Sequence, residues 1–229
     1  MPGGGALVGA AVPPPPPGAR AMFGPALGLA ERYAELLAGP GVERGLIGPR
    51  ETARLWDRHL MNCAAVADLV PDPCSVVDLG SGAGLPGLVL AMLLPDSEVV
   101  LLEPMARRAE FLEECVRMLG VRGAAVCRAR AQDVAGQLAA DVVTARAVAP
   151  LERLAGLALG LVRPGGLVLA MKGAGAAREL ARAGPVLRRL GVRDATVVRA
   201  PSCEVSPPPT VVRLTAPASA DGDPGVARR

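Results

Sequence analysis

The sequence predicts an α/β fold: a Rossmann-like, seven-stranded sheet whose last strand is antiparallel, preceded by an N-terminal helical cap. Three observations predict it. First, a β-branched run ending in an acid, Val76-Val77-Asp78-Leu79, leads into Gly80-Ser81-Gly82-Ala83-Gly84-Leu85-Pro86-Gly87 before apolar residues resume. That pattern is strand, tight turn and helix. Second, strand-like and helix-like segments alternate regularly downstream, as a parallel sheet with crossover helices requires. Third, the last two strand-like segments are separated only by Pro201 to Pro209, so they pair antiparallel.

Residues 1–19 are rich in glycine and proline, with five consecutive prolines from Pro13 to Pro17, and predict a disordered or polyproline extension. The cap is expected over 20–72. Its first helix runs from Leu27 to Leu37 and stops at Gly39-Pro40-Gly41; its second begins near Pro49 and continues towards Leu69. The sheet domain is expected over 73–215. It predicts strand 75–79, a helix near 85–94, strand 98–103 and a helix from about Ala106 to Leu119. Strand 124–128 and a short helix around 133–139 follow, then strand 140–145, a helix from Leu151 to Val162 and strand 166–171. A helix from Ala176 to Leu190 precedes strands 195–200 and 210–215. Residues 216–229 are small and polar and read as a loose tail.

At 229 residues the chain is one domain of ordinary size with extensions. Only four residues are aromatic, and Lys172 is the only lysine among 25 basic residues. Arginine abundance on this background reflects compositional bias rather than RNA binding, and a net charge of +3 is compatible with a phosphate-bearing partner without requiring one. The five cysteines (63, 74, 115, 127, 203) never form C-x-x-C, which excludes a zinc-ribbon pattern and points to a reducing compartment. No metal site is implied. No apolar run reaches membrane-spanning length, so a cytoplasmic protein is expected.

The turn after the first strand is the predicted ligand site. Glycine permits positive φ and lets a ligand approach backbone that a Cβ would shield. Gly82-Ala83-Gly84-Leu85-Pro86-Gly87 fits the dinucleotide pattern G-x-G-x-x-G. Counted from the strand, however, the arrangement is D-x-G-x-G-x-G starting at Asp78, and it resembles class I S-adenosylmethionine-dependent methyltransferases. An acid at the strand end suits a cofactor with a cationic amino-acid tail and no pyrophosphate. Under that fold Gly80 and Leu85 contact methionine and ribose, Glu103 at the end of the second strand accepts the ribose hydroxyls, and the turn Arg130-Ala131-Gln132-Asp133 meets the adenine edge. Gln132 or Asp133 could equally cap the next helix.

Missing motifs narrow the acceptor. Thr144-Ala145-Arg146-Ala147 stands where exocyclic-amine methyltransferases carry an Asn/Asp/Ser-Pro-Pro-aromatic motif. No cysteine occupies the position a cytosine-C5 enzyme needs, and one lysine cannot supply a Lys-Asp-Lys-Glu site. An acceptor needing no strong base remains, such as guanine N7, with catalysis by positioning and electrostatics. Arg146 and Lys172, each at the C-terminal end of a strand, are the expected donors. Lys172 is otherwise a chance surface residue, and Arg146 otherwise a salt-bridge partner of Glu103 or Asp78. His59, the only histidine, is either a packing residue or, with Arg58 and Asn62, part of a face turned towards the acceptor base.

Leu55-Trp56-Asp57-Arg58-His59-Leu60-Met61-Asn62, the stretch from Asp78 to Gly87, Arg146-Ala147 and Met171-Lys172-Gly173 stand in the order found in the bacterial 16S ribosomal RNA guanine-N7 methyltransferases of the glucose-inhibited division protein B type, which the chain resembles over about residues 25–215. The resemblance implies a cytoplasmic enzyme that uses S-adenosylmethionine to methylate N7 of one guanine in the small-subunit rRNA, the subunit or its assembly intermediate being the partner. By position it implies cofactor contacts at Gly80, Leu85, Ala131, Gln132 and Arg146. The family usually carries glutamate at the position of Gln132, so the adenine contact stays open between Gln132 and Asp133. Two other classes remain: an NAD-binding oxidoreductase, and a non-catalytic RNA-binding module of ribosome assembly.

Overall fold

The computed structural model describes residues 12–201 and 204–218. Seven strands form one sheet: β1 (Ser75–Leu79), β2 (Glu98–Leu102), β3 (Ala124–Cys127), β4 (Ala140–Arg146), β5 (Val162–Lys172), β6 (Asp194–Arg199) and β7 (Thr210–Thr215). Their spatial order is β3-β2-β1-β4-β5-β7-β6. The first five run parallel, and β7 lies antiparallel between β5 and β6. The order reverses at β1 and β4, so a crevice opens beyond their C-terminal ends, where open α/β sheets bind ligands.

Strand side chains alternate between two apolar layers, as the two-residue period dictates. Val76 joins the layer built with α4 (Gly87–Leu93), α5 (Ala106–Leu119) and the cap. Val77 and Leu79 join the layer built with α6 (Leu151–Leu159) and α7 (Ala176–Arg189). The cap is less regular than its hydrophobic spacing predicts. It comprises α1 (Ala19–Phe23), α2 (Leu27–Leu36) and a π-helical turn at Leu37–Gly41. In place of one helix after Pro49 come a 3-10 stretch (Pro49–Arg54), a π-helical turn (Leu55–Leu60), α3 (Met61–Ala64) and a last 3-10 turn at Ala67–Leu69. Arg54, with φ −119° and ψ 12°, leaves the helical path and starts the wider turn. The widening buries Leu55, Trp56 and Leu60 on one side. The other side is left for polar residues at the sheet rim, a frequent setting for π-turns at functional sites.

Three further expectations change. No helix forms over 133–139. A 3-10 turn spans Ala131–Asp133, and Gly136 then takes φ +76° and donates its N–H to the Gly160 carbonyl, which a helix would forbid. Helix α6 ends at Leu159 rather than 162, because β5 starts earlier, at Val162, after Gly160. The Gly/Pro-rich N-terminus packs from residue 12 onward: the Trp56 indole N–H donates to the Pro13 carbonyl at 2.9 Å, and Ala19 is fully buried. A polyproline stretch is already ordered and loses little entropy on docking. Residues 1–11 lie outside the described ones, as do 219–229. Residues 216–217 stay on the sheet, Ala216 donating to Gly166 and Pro217 accepting from Gly165. Among the described residues no helix is long and apolar enough to cross a membrane.

Candidate functional site

The turn after β1 is built by its own backbone. The N–H groups of Gly80 and Ser81 both donate to the Leu102 carbonyl, and Gly84 donates to Ser81. Gly80, Gly82 and Gly84 have φ of +68°, +61° and +98°, which ordinary side chains resist. At Gly84 a Cβ would also lie 2.6 Å from Leu88 Cδ1 and 2.7 Å from the Tyr33 hydroxyl. Tyr33, the chain's single tyrosine, is fully buried in α2 and donates to the Ala83 carbonyl at 2.5 Å, tying the cap to the turn.

Asp78 serves this turn and does not face a ligand, contrary to the expectation for a strand-end acid. It is 1% exposed and accepts from the Ser81 hydroxyl (2.6 Å), the Gly87 N–H (2.9 Å) and the Thr144 hydroxyl (3.0 Å). Burial pushes its carboxyl up, and the three donors oppose that. Glu103 lies one strand away with its side chain 2% exposed, one oxygen on the Gly82 N–H (2.9 Å) and the other on the Met105 N–H (3.1 Å). A second anion has no place at the Gly82 N–H. Leu85 is buried within the turn after β1, Ala131 is buried at the start of the 3-10 turn after β3, and Gln132 and Asp133 beside it are exposed.

A cavity of about 650 Å³ lies over the C-terminal rim of β4 and β5. Arg58, Asn62, Arg146, Lys172 and Arg199 line it, with Met171 and Pro207 to Pro209, and no carboxylate does. Arg146, Asn62 and Lys172 therefore meet in one place. Gly80, Leu85, Glu103, Ala131, Gln132 and His59 do not line the cavity: Gly80 and Leu85 belong to the turn after β1, Glu103 follows β2, and Ala131 and Gln132 follow β3. Arg146 goes neither to Asp78 nor to Glu103. Its guanidinium donates to His59 Nδ1 (2.7 Å), the Arg58 carbonyl (3.2 Å) and Cys63 Sγ (3.2 Å), latching β4 to the cap. Asn62 donates its amide to the carbonyls of Asp57 and Arg58, steadying the same turn. Lys172 is 13% exposed at its side chain. Its ammonium donates to the Ala149 carbonyl (2.9 Å) and pairs with Glu179 Oε1 (2.8 Å), whose carboxylate also accepts from Leu151 N–H. Burial pushes the Glu179 carboxyl up, but the Lys172 ammonium and the Leu151 N–H bring it below its ordinary value. These contacts pin the loop after β4, where Ala147 holds φ +56°, a strained conformation for a residue with a Cβ.

A family model described as rRNA small subunit methyltransferase G (GidB) matches residues 27–204. The chain belongs to the GidB family. Ribosomal RNA small subunit methyltransferase G of Thermobifida fusca is 56% identical over 197 residues, covering 86% of this chain and 83% of that one. The protein of the same name in Streptomyces coelicolor is 49% identical over 212 residues, covering 92% and 89%. Among solved structures, M. jannaschii TYW2 in complex with AdoMet matches at TM-score 0.54 with 18% identity, over 70% of this chain and 76% of that one. A SAM-dependent O-methyltransferase from Thermotoga maritima matches at TM-score 0.53 with 14% identity, over 74% and 66%. At such identities these two speak for the fold, which is the class I methyltransferase fold. Neither the oxidoreductase nor the non-catalytic alternative has support in these comparisons.

Within this GidB-family site the residues that sequence reasoning missed are the partners: Glu51, Glu179 and Tyr33. Glu51 accepts from His59 Nε2 at 3.0 Å. Arginine only donates, so His59 Nδ1 is an acceptor and its proton sits on Nε2, facing Glu51: the imidazole is neutral. Burial and the Arg146 charge push the His59 pKa down, with Glu51 pulling the other way. Because the folded pKa lies below the unfolded one, the unfolded chain takes up the proton first. This contribution to stability is complete above about pH 6.5 and is lost as pH falls below it. Urea unfolding from pH 8 to 5 is expected to show wild type weakening towards acid more steeply than His59→Gln. Parallel curves would contradict the assignment.

Proposed function

We propose that this chain transfers the methyl group of S-adenosylmethionine to N7 of a guanine in 16S rRNA, in the cytoplasm, with the small ribosomal subunit or its assembly intermediate as substrate. The observation that carries the proposal is the membership of residues 27–204 in the methyltransferase family, joined to a cationic cavity over the C-terminal rim of β4 and β5. The turn fits the cofactor. At Gly82 an added Cβ would meet only the Gly80 carbonyl, at 3.8 Å, so backbone there lies open, whereas at Gly80 the Val148 side chain already packs close. Glu103 already occupies the Gly82 N–H, which disfavours a pyrophosphate there, and with its other oxygen on the Met105 N–H it braces the turn. Gly80 and Leu85 would hold the methionine and ribose part, and Ala131 with Gln132 the adenine edge.

When bound, the cofactor supplies an electrophilic methyl group. Guanine N7 carries an in-plane lone pair, so the N–C bond forms as the C–S bond breaks, positive charge moves to the base, and no proton is transferred. The residues therefore need to position and desolvate rather than abstract a proton. Arg146 and Asn62 line the cavity that would receive the base, and neutral His59 holds Arg146 in place by accepting from its guanidinium. Lys172 offers a donor whose charge is balanced by Glu179, so it orients the base without opposing the charge that grows there. Labelled S-adenosylmethionine incubated with small-subunit rRNA is expected to yield 7-methylguanosine, and Lys172→Ala to lower kcat on the order of 10²-fold through the misplaced loop after β4. Cofactor binding without product on either naked rRNA or subunits would return the chain to a non-catalytic role. No cofactor binding would refute the proposal altogether.

A further inference from the structure

The four cations of the cavity are not equivalent. Arg146 is held by His59, Cys63 and a cap carbonyl, and Lys172 has its charge balanced by Glu179. Arg58 is half exposed, with Glu51 no closer than 3.6 Å. Arg199 is exposed, and among the described residues no carboxylate lies within ion-pair distance of it. Its position is nonetheless well fixed. It ends β6 opposite Thr210 of β7, and Thr210 in turn lies opposite Lys172 of β5. Directly paired residues share a sheet face, so Arg199 and Lys172 project from the same side, two strand spacings or about 10 Å apart. The Ala200 N–H donates to the Pro209 carbonyl at 2.9 Å, closing the hairpin so that Arg199 and Pro207 to Pro209 border one cavity.

The aromatic residues leave this rim bare. Phe23, Tyr33, Trp56 and Phe111 are all at most 3% exposed, so no aromatic ring is offered to an unstacked base. In single-stranded RNA recognition, grip without aromatic rings falls to arginine, whose guanidinium can stack on bases and whose charge tracks the backbone. We infer that Arg199, at the tip of β6, is the residue that grips an rRNA phosphate beside the target guanine, with the Pro207–Pro209 wall holding the strand against the cavity. The inference rests on the methyl-transfer proposal above and adds to it a substrate-positioning residue on the β6–β7 hairpin. An unpaired, exposed cation confers no fold stability, and at the edge of a cavity free of carboxylates it attracts phosphate without competition from within the protein.

The test is steady-state methylation of small-subunit rRNA by wild type, Arg199→Ala and Arg199→Lys at several salt concentrations, with S-adenosylmethionine affinity measured separately by titration. Arg199→Ala is expected to raise KM for rRNA roughly tenfold and to flatten the slope of log(kcat/KM) against log salt by about 0.7, one single-strand phosphate contact. Its kcat, cofactor affinity and thermal midpoint should match wild type. Arg199→Lys should recover most of KM, since a phosphate accepts a point charge. An unchanged KM and salt slope in Arg199→Ala, while wild type makes 7-methylguanosine, would overturn the inference and leave the methyl-transfer proposal standing. So would a fall in kcat at constant KM, which would place Arg199 at the reacting atoms. Wild type that binds cofactor but methylates no rRNA would overturn both.

Discussion

Gly87→Ala is expected to destabilise the protein by more than about 3 kcal/mol, whereas Gly156→Ala is expected to stabilise it by about 0.5–1 kcal/mol, both read by urea unfolding. Both glycines lie in helices, and neither has a positive φ. Helix propensity alone predicts a gain near 1 kcal/mol at each. Space reverses the sign at one of them. An added Cβ at Gly87 would sit 2.6 Å from Asp78 Oδ2 and 2.7 Å from Asp78 Cβ, and would overlap the Leu101 side chain. At Gly156 it would meet nothing within 4 Å. Relief at Gly87 would require α4 to move off β1 and β2, breaking the N–H···Oδ2 bond to Asp78 and with it the turn that Asp78 organises. Equal responses at the two sites would show that α4 can shift freely, and would remove the steric reason for the last glycine of the motif.

The glycine motif thus divides into two physical tasks. Gly80, Gly82 and Gly84 are needed for backbone conformation, and Gly87 for the close approach of helix and sheet. That division is only partly legible from sequence. A β-branched run, an acid and four glycines announce the strand and the turn, because both are local. The direction of Asp78 is not local: one of its donors, Thr144, lies 66 residues away on the neighbouring strand. Lys172 follows the same logic. As the only lysine, at a strand end, it stands out in the sequence, but nothing there reveals that Glu179 on α7 and the Ala149 carbonyl hold it. Over 133–139 the failure is of another kind. Val134 and Leu138 carry helical spacing, yet both Gln137 and Leu138 donate to the Val134 carbonyl around a left-handed Gly136, so a compact loop shows the same apolar pattern. The cap is helical as expected, but its turn types are not legible, since Leu55, Trp56 and Leu60 bury one side of a π-turn as readily as of an α-helix. The antiparallel pairing of the last two strands was legible from sequence, because the spacing from Pro201 to Pro209 leaves room only for a hairpin.

Arg146→Met is expected to lower stability by about 2–3 kcal/mol, to cut methyl transfer on the order of 10²-fold and to raise the pKa of His59. Methionine keeps an unbranched apolar stem but removes every donor. The Arg58 carbonyl and His59 Nδ1 then lose the charged partner that joins the cap to the end of β4. Histidine responds because the Arg146 charge is among the causes that press its pKa down, while Glu51 pulls it up. With Arg146 gone, the Glu51 pull faces less opposition, the imidazole protonates at higher pH, and the acid-side loss of stability seen in wild type becomes shallower. The chain has a single histidine, so its NMR titration needs no assignment. The three readouts together separate a latch from a base contact. Loss of activity with stability and the His59 titration unchanged would mean that Arg146 leaves the cap and acts on the substrate. A shifted titration with lost stability would mean that it works by holding the turn of Arg58, His59 and Asn62 against the sheet, one strand-end guanidinium fixing a whole wall of the cavity.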